Sequence, residues 1–161
     1  MKANVIIPLV LLSAFALALL LSGCPMQNYG EFTEGHFKAL YPAEGVVEPP
    51  PTGILHRSNA GFNFDISVEP LIGSFAETVE QGFGEFYELD EFEIIGKTVG
   101  EHDATVEYKI GFGEDGVIHA IERGIECNGK IYWVSAVGAE PWFEPQSPEV
   151  QFLLRSAGCV Q

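Results

Sequence analysis

Four histidines, three cysteines and 23 carboxylates are the side chains of this chain that could do chemistry. His36, His56, His102 and His119 are scattered along the sequence with no His-Glu-x-x-His helix, whereas zinc needs three or four His, Cys or carboxylate groups converging on one point. One local trio, Glu101-His102-Asp103, falls in a turn where ligands could gather; turns also attract such polar residues for their own hydrogen bonding. Glu85, Glu88, Asp90, Glu91 and Glu93 crowd together and offer the oxygen ligands that calcium takes. The Asp-x-Asp-x-Asp-Gly spacing of a dedicated calcium loop is missing, and a solvated acidic face is the simpler meaning. Gly82-Phe83-Gly84 and Gly111-Phe112-Gly113 lack the glycine spacing of a phosphate cradle. No nucleophile elbow is present. The expectation is therefore no catalytic residue, no metal ligand set and no cofactor. Trp142-Phe143, set between Pro141 and Pro145, is the candidate partner contact, since exposed aromatics on a stiffened backbone make good anchors. The simpler reading packs both over the end of the core.

The N-terminus speaks of address. Lys2 precedes an apolar stretch that begins near Asn4 and closes at Leu21-Ser22-Gly23-Cys24, and the next cation is Lys38. A basic start, an apolar middle and small residues before a cleavage point make a secretory signal. The closing tetrad resembles the lipobox of prokaryotic lipoproteins. That resemblance implies that residues 1–23 are removed and that Cys24 becomes the first mature residue, carrying a thioether-linked lipid. The alternative is an uncleaved anchor, because the run of about 18 apolar residues reaches the lower limit for spanning a bilayer. Both readings place the rest of the chain on the extracytoplasmic side of the cell membrane, since the sole nearby cation precedes the span.

Without residues 1–23 the chain keeps 138 of its 161 residues, enough for one domain with a single core. The removed segment holds one cation and no carboxylate, so the formal charge moves from −15 to −16. Such a surface repels phosphate backbones and excludes nucleic acid as a partner. With Cys24 assigned to lipid, Cys127 and Cys159 remain, an even pair in a compartment that permits oxidation.

Those residues are positioned by an alternation of strands and helices. Residues 24–35 read as a tether and 36–161 as the domain. Phe37 to Tyr41 is a first strand, and Val46 to Gly53, with three prolines, cannot continue a ladder. Ile54 to Ser58 and Phe62 to Val68 flank a turn at Asn59-Ala60-Gly61. Phe62, Phe64, Ile66 and Val68 alternate with Asn63, Asp65 and Ser67, giving one buried and one wet face. Ser74-Phe75-Ala76-Glu77 is a capping box; the helix it opens carries the stripe Phe75, Val79, Phe83 and Phe86 and is expected to end near Leu89. Residues 93–99, 104–112, 117–128 and 130–137 form a meander, with Asn128-Gly129 as a type I′ hairpin signal. A loop over 138–147 follows. Ser147-Pro148-Glu149 opens a last helix with Val150, Leu153, Leu154 and Ala157 on one face and Gly158 at its end. This helix must run back along the sheet, which returns Cys159 toward the turn beside Cys127. A disulfide between Cys127 and Cys159 is expected there, with two separate free thiols as the alternative.

The order of elements resembles the PsbP-like fold, named for an extrinsic subunit of photosystem II and shared with a Ran-binding protein and small prokaryotic lipoproteins. The resemblance is carried by Phe37-Lys38-Ala39-Leu40-Tyr41-Pro42, the Asn63 to Pro70 strand and the capped helix from Ser74. The hairpin through Ile131-Tyr132-Trp133-Val134 and the closing helix through Leu153-Leu154 complete it, over roughly residues 35–158. Family members usually carry Gly-Trp after the early proline, where this chain has Ala43-Glu44-Gly45-Val46. The fold implied is α+β, an α/β/α-type sandwich with a central antiparallel sheet. The function implied is a lipid-anchored binding or accessory module without catalytic activity, facing a protein partner at the cell envelope. A small envelope hydrolase or metal-dependent enzyme, or a divalent-cation-binding protein, is the alternative.

Overall fold

A computed structural model describes residues 28–45, 54–58, 61–84 and 91–160. The wet-and-dry alternation produces a six-stranded antiparallel sheet. Its strands are β3 (Leu55–Ser58), β4 (Asn63–Pro70), β5 (Phe92–Val99), β6 (Asp103–Gly111), β7 (Val117–Cys127) and β8 (Lys130–Ala139), in spatial order β3-β4-β8-β7-β6-β5. A smaller sheet joins β1 (Tyr29–Glu34), β2 (Phe37–Pro42) and β9 (Gly158–Cys159) in the order β1-β2-β9.

The central sheet buries both faces. On one, Phe64 and Ile66 of β4, Ile121 and Ile125 of β7 and Tyr132, Val134 and Ala136 of β8 pack against Phe37 and Ala39 of β2. Val150, Leu153 and Leu154 of the helix α2 (Pro148–Ser156) close the same core. On the other face, Phe75, Val79 and Phe83 of α1 (Phe75–Gly84) lie over Ala104, Val106 and Tyr108 of β6, Ala120 of β7 and Ile131 and Trp133 of β8. Each such side chain contributes about 1.5–3 kcal/mol of burial, which outweighs the roughly 1 kcal/mol by which Gly82 weakens the helix. Lys97 of β5 also pairs with Glu80 of α1. The result is the α/β/α-type antiparallel sandwich.

Local signals fix the ends of the elements. Ser74 donates its backbone amide to Glu77 Oε2 at 2.9 Å while the Glu77 amide donates to Ser74 Oγ at 3.3 Å. Ser147 Oγ accepts from the Val150 amide at 3.4 Å, with Pro148 in the first turn. Asn128 and Gly129 adopt φ of 52° and 74°, the conformation a type I′ turn demands.

Two expectations about the strands are corrected. Residues 29–34, read as part of a tether, are strand β1, with all six residues in register against β2. Tyr29 and Phe32 stand three apart with Gly30 between, so no period-two pattern announces the strand; pairing and the contacts of Tyr29 with Phe152 and Phe32 with Phe37 order it instead. Strand β8 runs on to Ala139, shortening the loop expected over 138–147. Cys24, Glu85, Glu88, Asp90 and the expected helix end near Leu89 lie outside the described residues. No helix among the described residues is long and apolar enough to cross a membrane.

Candidate functional site: an acidic cleft under the first helix

The outward-alternating residues of β4 do not face bulk solvent. Strand register aligns His56 with Asp65, Asp65 with Ser135 and Ser135 with Glu122. One polar row therefore crosses four adjacent strands on the α1 side of the sheet. Ser67 and Trp133 form the next rung, and Glu69 lies one alternation further along β4. With Gly82 and Phe83 of α1 as one wall, these residues enclose a cleft of about 440 Å³.

Its lining is acidic. Asp65, Glu69 and Glu122 line it, and no Lys or Arg is among the lining residues. The Asp65 carboxylate meets His56 Nδ1 at 2.5 Å, Trp133 Nε1 donates to Glu69 at 2.6 Å, and the Tyr108 hydroxyl donates to Glu122 at 2.6 Å. Desolvation pushes the Glu122 carboxyl above its ordinary range; the Tyr108 and Ser135 hydroxyls oppose the rise, and Asp65 and Glu69 add to it. Burial first, and Glu122 second, push the Tyr108 phenol up too. Gly124 makes room for this wall, because a Cβ there would sit 2.8 Å from the Trp133 ring that lies opposite it.

The arrangement is not a nucleophilic triad. In a nucleophilic triad the imidazole stands between hydroxyl and carboxylate. Here Asp65 stands between His56 and Ser135, so the hydroxyl is two strands from the ring, about 9–10 Å. Ser135 is hydrogen-bonded to Glu122 instead.

The other residues singled out in the sequence are placed as follows. Cys127 and Cys159 form a disulfide with Cα atoms 5.8 Å apart. Phe143 is buried, packed near His119 and Phe62, whereas Trp142 is 84% exposed. The Glu101-His102-Asp103 trio does not converge as three: Glu101 Oε1 lies 3.6 Å from His102 Nε2, but Asp103 is directed elsewhere. His102 turns to Glu126 at 3.0 Å, a hydrogen bond that raises its pKa, and Asp103 faces Arg123 at 3.5 Å. Glu91 holds the Gly113 amide at 3.3 Å, and Glu93 lies opposite Lys109. Among the described residues no group of three His, Cys, Asp or Glu is placed to hold a metal ion.

A second cluster, around the buried His119, escaped the sequence reading. His119 Nε2 contacts Glu107 at 3.0 Å and its Nδ1 lies 3.5 Å from Glu140, while Gln146 donates to Glu107 at 2.8 Å. It ties the loop after β8 to the sheet. The residues of the cleft were missed because Asn63, Asp65 and Ser67 read as a solvated face. The available signal was Glu122, a carboxylate inside the long strand β7 and in phase with them.

This geometry and element order match a known architecture. The solution structure of cyanobacterial PsbP (CyanoP) from Synechocystis sp. PCC 6803 superposes at a TM-score of 0.57, covering 85% of this chain and 95% of that one at 13% identity. The fold is PsbP-like. A Pseudomonas aeruginosa protein of unknown function, PA94, is similar at a TM-score of 0.43 and 14% identity, over 70% of this chain and 84% of that one. No protein-family model and no curated protein matches the chain. At these identities the PsbP-like likeness is one of fold, and the function of the cleft has to be argued from the cleft.

Proposed function

We propose that this PsbP-like domain is a non-catalytic binding module, held at the extracytoplasmic face of the cell membrane by a lipid on Cys24. Its cleft receives a basic side chain of an envelope protein partner. The observation that carries the reading is the set of three carboxylates, Asp65, Glu69 and Glu122, lining one cavity without a Lys or Arg to neutralise them. An incoming ammonium or guanidinium gains charge-assisted hydrogen bonds there. It also lowers the cost of ionising Glu122, which the fold otherwise resists. The formal charge of −15 draws cationic partners to the surface from a distance.

Titration calorimetry with a tetra-arginine peptide tests the cleft. Binding is expected, several-fold weaker in Glu122→Gln and Asp65→Asn and unchanged in Glu149→Gln, which lies in the first turn of α2. Absence of heat, or an equal loss in all three variants, removes the cleft as the site. Calcium producing the heat in place of the peptide moves the assignment to the divalent-cation reading.

A further inference from the structure

One end of the sandwich gathers the end of β6, the start of β7, the end of β8 and the start of α2. Ile118 lies opposite Ala139 in the register of β7 and β8. The Trp142 amide donates to the Ala139 carbonyl at 3.0 Å. Phe112 borders an apolar hollow with Val117, Ile118, Ala139 and Glu140. Trp142 is 84% and Phe112 51% exposed, so this end presents two large aromatic side chains to its surroundings.

The chain enters the domain at the same end. Tyr29 packs its ring, tilted, against Phe152 of α2 at 5.0 Å between ring centroids and feels the charge of Glu149 in the first turn of that helix. The Asn28 carbonyl accepts from the Ala43 amide at 2.8 Å, pinning the point of entry. Cys24 stands four residues before Asn28, a span of at most roughly 14 Å when fully extended. The ten-residue strand β8 is about 33 Å long, so such a tether brings this end to a bilayer and leaves the Cys127 turn well away from it.

We propose that this end of the domain docks on the membrane surface, with Trp142 as its interfacial anchor and Phe112 exposed at the same end. The proposal rests on the lipid at Cys24 and adds an orientation to it. Trp is suited to the role because its amphipathic ring prefers the headgroup level. The carboxylates Glu140, Glu144 and Glu149 flank this end, and the Lys109 ammonium there is already held by Glu140 at 2.5 Å. The matching surface is therefore zwitterionic lipid rather than anionic lipid. The cleft lies on the α1 face of the sheet, where a neighbouring envelope protein can reach it.

The full chain, extracted from membranes and reconstituted in phosphatidylcholine vesicles with brominated chains, provides the test. The chain has two tryptophans, and Trp133 is buried, so the emission of the wild type less that of Trp142→Phe isolates Trp142. Loss of the larger part of that emission to the brominated lipid is expected. An unaffected difference spectrum, in protein whose Cys24 peptide carries the diacylglyceryl mass, overturns the docking and leaves the lipid anchor standing. Quenching without that mass keeps the docked end on an uncleaved anchor and removes the lipid. Neither quenching nor lipid mass removes both.

Discussion

Trp142 and Phe143 are neighbours in sequence with opposite environments, and the backbone decides which is which. Phe143 turns inward, so close to Gly138 that a Cβ there would sit 2.5 Å from its own Cβ, and it is 6% exposed against 84% for Trp142. Truncating Phe143 to Ala removes a packed ring and costs about 3–5 kcal/mol. The Trp142→Ala change stays within about 0.5 kcal/mol. Urea denaturation of the two variants distinguishes them, and equal losses would contradict the split. Glu122 makes a different residue-scale prediction. Its folded-state pKa is raised above the ordinary carboxyl value, mainly by burial, so the folded state binds its proton more tightly than the unfolded state does. Its contribution is fully present below the ordinary carboxyl range and is lost as pH rises through the folded pKa. Glu122→Gln keeps the shape and an acceptor for Tyr108 without the charge. Its thermal midpoint should gain on the wild type as pH rises from the ordinary carboxyl range through the raised folded-state pKa. Parallel curves over that range would show that Glu122 carries no such penalty.

Among the elements, the two hairpins and the last helix meet at the Cys127–Cys159 disulfide. It joins the β7–β8 turn to β9, and Phe37 of β2 pairs with Cys159. The closed loop spans 32 residues, for which the chain-entropy model gives about 3–4 kcal/mol. Reduction, or the double change Cys127→Ala with Cys159→Ala, should lower the urea midpoint accordingly and free β9 and the end of α2 first. Amide exchange reads this out, and unchanged protection in Val160 and Ala157 would contradict it. Strong local rules made most elements readable in the sequence: the capping box at Ser74, Ser147-Pro148, Asn128-Gly129 and the alternation of β4. Strand β1 was unreadable because its order comes from six pairings with β2 rather than from its own pattern. The last helix also ends one residue early, at an extended Ala157, since Gly158 is taken up as a partner of Lys38.

At the scale of the whole molecule, the sheet has two covered faces with different contents. The α2 face is an apolar core shared with the small sheet, and the α1 face mixes an apolar stripe with the acidic cleft. An excess of carboxylates over the surface makes this economical, since the same field that keeps the domain soluble also favours cations at the cleft. The sequence by itself determined the antiparallel α+β class, the helix starts and the tight turns, because these rest on neighbouring residues. It also carried the lipobox resemblance on which the anchoring proposal stands. Only the tertiary structure decided that Asp65, Ser135 and Glu122, up to 70 positions apart, share one row, that α1 roofs them, and that Trp142 and the chain entry lie at one end. The physical reason is that strand register and layer packing are long-range: each strand announces which residues alternate, but only its partners determine which of them meet.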